Sequence, residues 1–329
     1  MRILKPLAVL LLLAILAAGG LFYFLNRPYA GFRSEVLLEI PKGASTRTIS
    51  QMLAGAGVIE NPWELMLARA IRPTAKLQAG EYRFAAPASP LAVYNRIARG
   101  DVYYRELTIP EGLNLFDIAA VVEETGLVTA KAFLEAARDP SLIRDLAPAA
   151  ATLEGYLFPD TYRFTRHASA RDFCRMFTHR FRAEWARLGS SDDVHRTVTL
   201  ASLIEKEAAV PADRPLIASV FHNRLKRGMK LDCDPTTVYA ALLEGRYRGK
   251  IHKSDLESPN PYNTYQHPGL PPGPIASPGD ASLRAALHPA ETSYLFFVAR
   301  PDGSGSHEFS KDVAAHNTAA LRYRRGVAK

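Results

Sequence analysis

The chain has 329 residues, is 47% hydrophobic and carries a formal charge of +8 at pH 7, which is enough apolar material for two modest folded units. The positive charge is spread along the chain and forms no basic stripe interleaved with aromatics, so nucleic acid is excluded as a partner, whereas anionic lipid or an acidic polymer fits. Cys174 and Cys233 lie far apart and make neither a disulfide framework nor a metal-ligand pattern, so free, buried thiols are expected, with no metal and no cofactor.

The first element is PLAVLLLLAILAAGGLFYFL at Pro6–Leu25, about 20 uncharged residues and long enough to span a bilayer as a helix. Arg2 and Lys5 precede it, making residues 1–5 a short basic head, and Phe22, Tyr23 and Phe24 fall where an interfacial aromatic belt would lie. A cleaved signal peptide is the alternative, with Ala17-Ala18-Gly19 as the small residues. The apolar run continues past them into Phe22–Leu25, which favours an uncleaved anchor. No second run of spanning length follows, so a cytoplasmic head and an exported body are expected.

An internal repeat comes next. IPKGASTRTISQMLAGAGVI from Ile40 and IPEGLNLFDIAAVVEETGLV from Ile109 align at a constant offset of 69 residues, pairing Gly43 with Gly112 and Gly57 with Gly126. Each copy reads as a strand, a Pro-Gly turn, an amphipathic helix and a glycine in the left-handed position that stops it. Short units of this kind occur in LysM carbohydrate-binding domains; a plain spacer is the alternative. Gly80–Phe84 reads as a strand and Leu91–Ala98 as a helix. The fold class expected is α+β: residues 6–25 an anchor, 34–104 a small LysM-like βα domain, and 105–329 a larger mixed α+β domain. Within the larger domain, helices are expected at 130–138, 168–187, 193–210, 215–227 and 311–324, and a buried strand at 295–299.

The helix DVHRTVTLASLIEKEAAV, residues 193–210, is apolar around most of its circumference and yet carries Glu205 and Glu207. A carboxylate in such a place is either paired or holds its proton near neutral pH, and a protonated carboxyl is what general-acid cleavage of a glycosidic bond requires. Periodicity does not choose between the two. Around this helix stand LEGYLFPDTY at 153–162, FHNRL at 221–225, LDCDPTTVY at 231–239 and the Pro-rich loop SPNPYNTYQHPGLPPGPIASPG at 258–279. A loop that long with ordered-looking prolines and aromatics suits a sugar-binding wall. No HExxH, GxSxG or phosphate-loop pattern is present.

Together LEGYLFPDTY, LASLIEKEA, FHNRLKRGMKLDCDPTTVYA and PYNTYQHPGLPPGPIASPG resemble, in order and across most of residues 105–320, the YceG-like endolytic murein transglycosylases. The resemblance implies a single-pass protein of the cell inner membrane with its domains outside the cytoplasm. Its partners would be peptidoglycan glycan strands, the membrane and peptidoglycan synthases. It would cut nascent strands internally, form 1,6-anhydro-MurNAc ends and so end elongation. It places the catalytic acid on Glu205. Asn223, Tyr262, Asn263, Tyr265 and Tyr156 are the residues expected to position sugar. Competing readings are a non-catalytic wall-binding scaffold and a two-carboxylate muramidase pairing Glu205 with Asp234 or Glu154.

Overall fold

The computed structural model describes residues 4–327; of the expected basic head at residues 1–5, the first three lie outside the described residues. The chain divides into two compact units, residues 1–105 with 163–166, and residues 106–162 with 167–329.

The first unit opens with helix α1 (Leu4–Asn26), whose Val9–Asn26 segment is apolar enough (mean hydropathy 2.3) and long enough to cross a membrane, and is 6% buried. Strand β1 (Val36–Ile40), helices α2 (Thr46–Gly55) and α3 (Pro62–Ile71) and strand β2 (Gly80–Phe84) follow, then α4 (Pro90–Arg99). β1 and β2 pair antiparallel, Leu38 opposite Tyr82. Alternation sends Ile40, Tyr82 and Phe84 to the same core as Ile49 and Leu53 of α2, Leu65 of α3 and Tyr94 of α4. Ser45 and Ser89 cap α2 and α4 by accepting the N–H three residues on.

In the second copy of the repeat, β3 (Arg105–Ile109) leads into α5 (Leu115–Glu123), capped by an Asn114–Asp117 capping box. Gly43 and Gly112 have φ of 79° and 77°, and Gly57 and Gly126 have φ of 70° and 71°, so the offset of 69 residues preserves both backbone bends. The surroundings differ: Gly57 lies against the Gly31 backbone, whereas Gly126 faces open space.

Then come α6 (Ala130–Ala137), β4 (Asp160–Phe164), α7 (Ala170–Leu188), α8 (Val194–Glu207), α9 (Arg214–Lys226), α10 (Asp234–Leu243), α11 (Lys253–Leu256), α12 (Asp280–Leu287), β5 (Phe296–Ala299), β6 (His307–Ser310) and α13 (Val313–Val327). β3 pairs with β4, and β5 with β6. Among the described residues there is no larger sheet, and α8 sits at the centre of a helical core. Its sector of Thr199 and Ser202, polar by sequence, is buried too: Ser202 Oγ accepts the Ile275 N–H at 3.1 Å and donates to Thr199 O at 2.7 Å. Those hydroxyls are satisfied locally, so the Pro-rich loop can lie directly on the helix. Gly155 (φ 82°) lets Pro274 approach where any Cβ would stand 2.4 Å from it.

Candidate active site

The two carboxylates of α8 have different fates. Glu205 Oε1 accepts Arg214 Nη2 at 3.2 Å, and Oε2 accepts the Gly279 N–H at 3.0 Å, at the start of α12. Both partners of the ion pair are largely buried, with side chains 7% and 13% exposed. Arg214 also donates to Ser282 Oγ at 3.1 Å and stands 4.0 Å from Glu111. Of the two states open to a carboxylate on this helix, Glu205 takes the paired one: the α9 and α12 N-termini bring it a guanidinium and an amide.

Glu207, the last residue of α8, has no cation of this kind. Its Oε1 accepts the Cys233 thiol at 3.1 Å, and Oε2 has no hydrogen-bond partner among the described residues. Burial pushes its pKa up to about 7; the Cys233 hydrogen bond opposes that rise and the Asp234 carboxylate adds to it. Glu207 borders a cavity of about 590 Å³ together with Arg224, Asp232, Asp234, Tyr265, His307 and His316. The floor and walls come from three elements whose local structure explains the placement. Asp232 is the one non-glycine with positive φ (49°) among the described residues; a short polar side chain tolerates this conformation best, and it turns the chain so that Asp232 Oδ2 meets Arg224 Nη1 at 2.9 Å. Pro235 lies in the first turn of α10, where its missing N–H costs nothing, and Tyr265 donates to Asp234 Oδ1 at 2.6 Å. Arg224, 8% exposed, donates to the carbonyls of Lys230, Leu231 and Leu295 and lies over Phe296 at 5.0 Å. Asp213 accepts both the backbone N–H and Nδ1 of His307 at 2.7 and 2.9 Å. Burial and the Arg224 charge hold His316 below the usual imidazole value, so this side chain is neutral at neutral pH. The cavity thus brings one protonatable carboxyl together with two further carboxylates, the guanidiniums of Arg224 and Arg324 and aromatic surface, and a protonated carboxyl there can give its proton to an oxygen.

A model of the YceG-like family matches residues 38–322. The chain belongs to the YceG-like family. It is 34% identical over 314 residues to the endolytic murein transglycosylase of Bacillus subtilis (strain 168), covering 88% of this chain and 85% of that protein. It is 29% identical over 335 residues to the protein of the same name from Streptococcus pneumoniae (strain D39), covering 89% of this chain and 60% of that protein. Among solved structures, the YceG-like protein lmo1499 from Listeria monocytogenes matches with a TM-score of 0.56 and 33% identity, over 87% of this chain and 99% of that one.

Against this family frame, the expected sugar-positioning residues scatter. Tyr265 lines the Glu207 cavity. Asn263 does not: it is fully buried, and its Nδ2 donates to the carbonyls of Asp255, Leu256 and Ser258, pinning the start of the Pro-rich loop. Asn223 Nδ2 donates to Thr292 O and Tyr294 O at 2.9 Å each, fastening α9 to the segment before β5. Tyr156 is fully buried with its hydroxyl 2.7 Å from His195 Nδ1, and Tyr262 packs at a tilt against Tyr239 with ring centroids 5.0 Å apart; both line a different cavity. Of the two suggested second carboxylates, Asp234 shares the cavity with Glu207 and Glu154 does not. Sequence reasoning missed Arg224, His307 and His316. An arginine on a helix ordinarily reads as solvated, and the two histidines arrive from β6 and α13, about a hundred residues downstream, with no local signal. Cys174 and Cys233 are free and buried, as expected.

Proposed function

We propose that this chain is a membrane-anchored lytic transglycosylase that cuts murein glycan strands internally, with Glu207 as the acid. The observation that carries the assignment is the contrast within α8: Glu205 is committed to Arg214 and the Gly279 amide, while Glu207 faces a cavity with its pKa near 7. The family resemblance pointed to Glu205; the geometry favours Glu207, two residues on and about 200° around the helix.

The chemistry then needs a single acid. Protonated Glu207 gives its proton to the oxygen joining MurNAc to the next GlcNAc, and the C1–O bond breaks. Asp234, which borders the same cavity, would bring negative charge to the oxocarbenium character developing at C1. The Glu207 carboxylate next takes the proton from the MurNAc C6 hydroxyl as that oxygen bonds to C1. The products are a 1,6-anhydro end and a free GlcNAc 4-hydroxyl, no water is consumed, and Glu207 is again protonated. A specific observation supports a second reading, hydrolysis by two carboxylates: Asp234 borders the same cavity as Glu207. Anhydro ends and reducing ends differ by one water in mass, so incubating purified glycan strands with the chain and weighing the sugar ends decides between them; no new ends of either kind would leave the scaffold reading.

The remaining elements fit the same picture. Helix α1 as an uncleaved anchor would hold the two units outside the cytoplasm at the inner membrane, beside nascent strands and the synthases that make them, so that each cut ends a strand. The β1–α2–α3–β2 order, with its antiparallel strand pair, is read as a LysM-like module that holds glycan. The domain assignment 34–104 and 105–329 goes with this reading.

A further inference from the structure

A cavity of about 290 Å³ lies apart from the Glu207 site, and most of its lining is apolar. Glu154 lies within it and is 2% exposed. Its Oε2 accepts the Leu115 N–H at 2.9 Å and the Tyr239 hydroxyl at 2.8 Å, while Oε1 is buried with no hydrogen-bond partner. A buried acceptor left empty is costly and calls for a donor. Arg138, just past the end of α6, is exposed, lines the same cavity and makes no ion pair or side-chain hydrogen bond among the described residues. Leu115, Phe116 and Leu134 add hydrocarbon to the same lining. Part of the lining is braced. Tyr156 hydroxyl meets His195 Nδ1, His195 Nε2 meets Pro272 O at 2.8 Å, and Pro274 is packed onto Gly155. Such bracing holds the cavity open and preformed.

We propose that this cavity is a second ligand site, taking a lysine-type side chain: the terminal ammonium on Glu154 Oε1, the methylene stem along Leu115, Phe116 and Leu134, and a carboxylate at the mouth on Arg138. An ammonium supplies the missing donor and leaves no acceptor of its own unpaired. A sugar ring, with hydroxyls on every edge, would strand several of them against hydrocarbon. Burial raises Glu154 to about 7, so a bound ammonium also favours the charged carboxylate that holds it. The site stands whether or not the Glu207 cavity cuts glycan.

The test is ligand-observed NMR titration of the detergent-solubilised full chain with Nα-acetyl-lysine, Nα-acetyl-lysine amide, free lysine and Nα-acetyl-norleucine. Saturable binding of Nα-acetyl-lysine, at least about tenfold tighter than the norleucine analogue that lacks the ammonium, is expected. Glu154→Gln, which keeps both existing hydrogen-bond acceptor contacts, should abolish that preference. Arg138→Ala, at an exposed side chain, should weaken Nα-acetyl-lysine severalfold and leave its amide unchanged. Free lysine binding equally well identifies a free amino acid as the ligand; binding only with the α-amine acylated identifies a peptide end. Equal binding of lysine and norleucine analogues, absence of saturable binding, or insensitivity to Arg138→Ala would overturn the proposal.

Discussion

Replacing Cys233 with alanine removes the one hydrogen bond that a side chain makes to the Glu207 carboxylate among the described residues, at 3.1 Å. That bond favours the ionised carboxylate and so holds the Glu207 pKa down against burial. A hydrogen bond to a charged group contributes about 1.5–3 kcal/mol, and a thiol is a weak donor, so about 1 kcal/mol is the working figure here. At about 1.4 kcal/mol per pH unit, the pKa rises by about 0.7 from its starting value near 7. The other charged and titratable groups lining the Glu207 cavity are unchanged: Asp232, Asp234, Arg224, Arg324, His307, His316, Tyr265 and Tyr323. The protonated fraction at about pH 8 then goes from about 10% to about 30%, and the alkaline limb of the pH–rate curve moves up by about half to one unit. Cys233→Ser, with a stronger donor in the same place, should move the limb the other way. The assay counts anhydro-MurNAc ends by mass, as kcat/KM on un-crosslinked glycan strands, at a series of pH values. Coincident limbs for all three proteins, or the alanine limb lying below the serine limb, would refute the placement of the acid on Glu207 beside this thiol.

Glu207→Gln keeps shape without the acidic proton and should lower turnover by about a hundredfold or more. Glu205→Gln should keep most turnover but lose about 3 kcal/mol of stability, because Arg214 is left buried without its charge partner; urea unfolding with end-counting on both variants checks the pair, and the reverse order would return the acid to Glu205. Burial raises Glu154 from 4.5 to about 7. The folded chain therefore keeps a proton that the unfolded chain releases in that window. On this account stability falls as pH rises through the window and levels off above it, by about 3 kcal/mol at most. Glu154→Gln should accordingly gain on the wild type in denaturant titrations as the pH is taken from about 4.5 to about 8, and a constant difference would contradict the burial of the charge. Gly57→Ala should cost more than Gly126→Ala, because both have left-handed backbone but only Gly57 has the Gly31 backbone 2.9 Å from the added Cβ; about 1 kcal/mol is expected for Gly126 and about twice that or more for Gly57, read from thermal unfolding.

Most secondary structure was legible because it is written in local periodicity and capping. The β1–α2 and β3–α5 repeat, with its four left-handed glycines, follows from a constant sequence offset, and α7, α8 and α9 fall within a few residues of their apolar patterns. The α10 helix at 234–243 was not foreseen, since LDCDPTTVY mixes turn residues with a β-branched run and only Pro235 in the first turn hints at a helix start. Site membership was another matter. The sequence narrowed the acid to two residues on one helix and marked Tyr265 and Asp234, but it also marked Asn223 and Asn263, whose amides serve backbone carbonyls. A polar side chain looks the same in sequence whether it faces substrate or a carbonyl. The choice between Glu205 and Glu207 depended on which of them α9 and α12 would supply with Arg214 and the Gly279 amide. Those groups lie 9 and 74 positions away along the chain, and only tertiary packing decides which carboxylate they reach, because desolvation and pairing are set by neighbours in space.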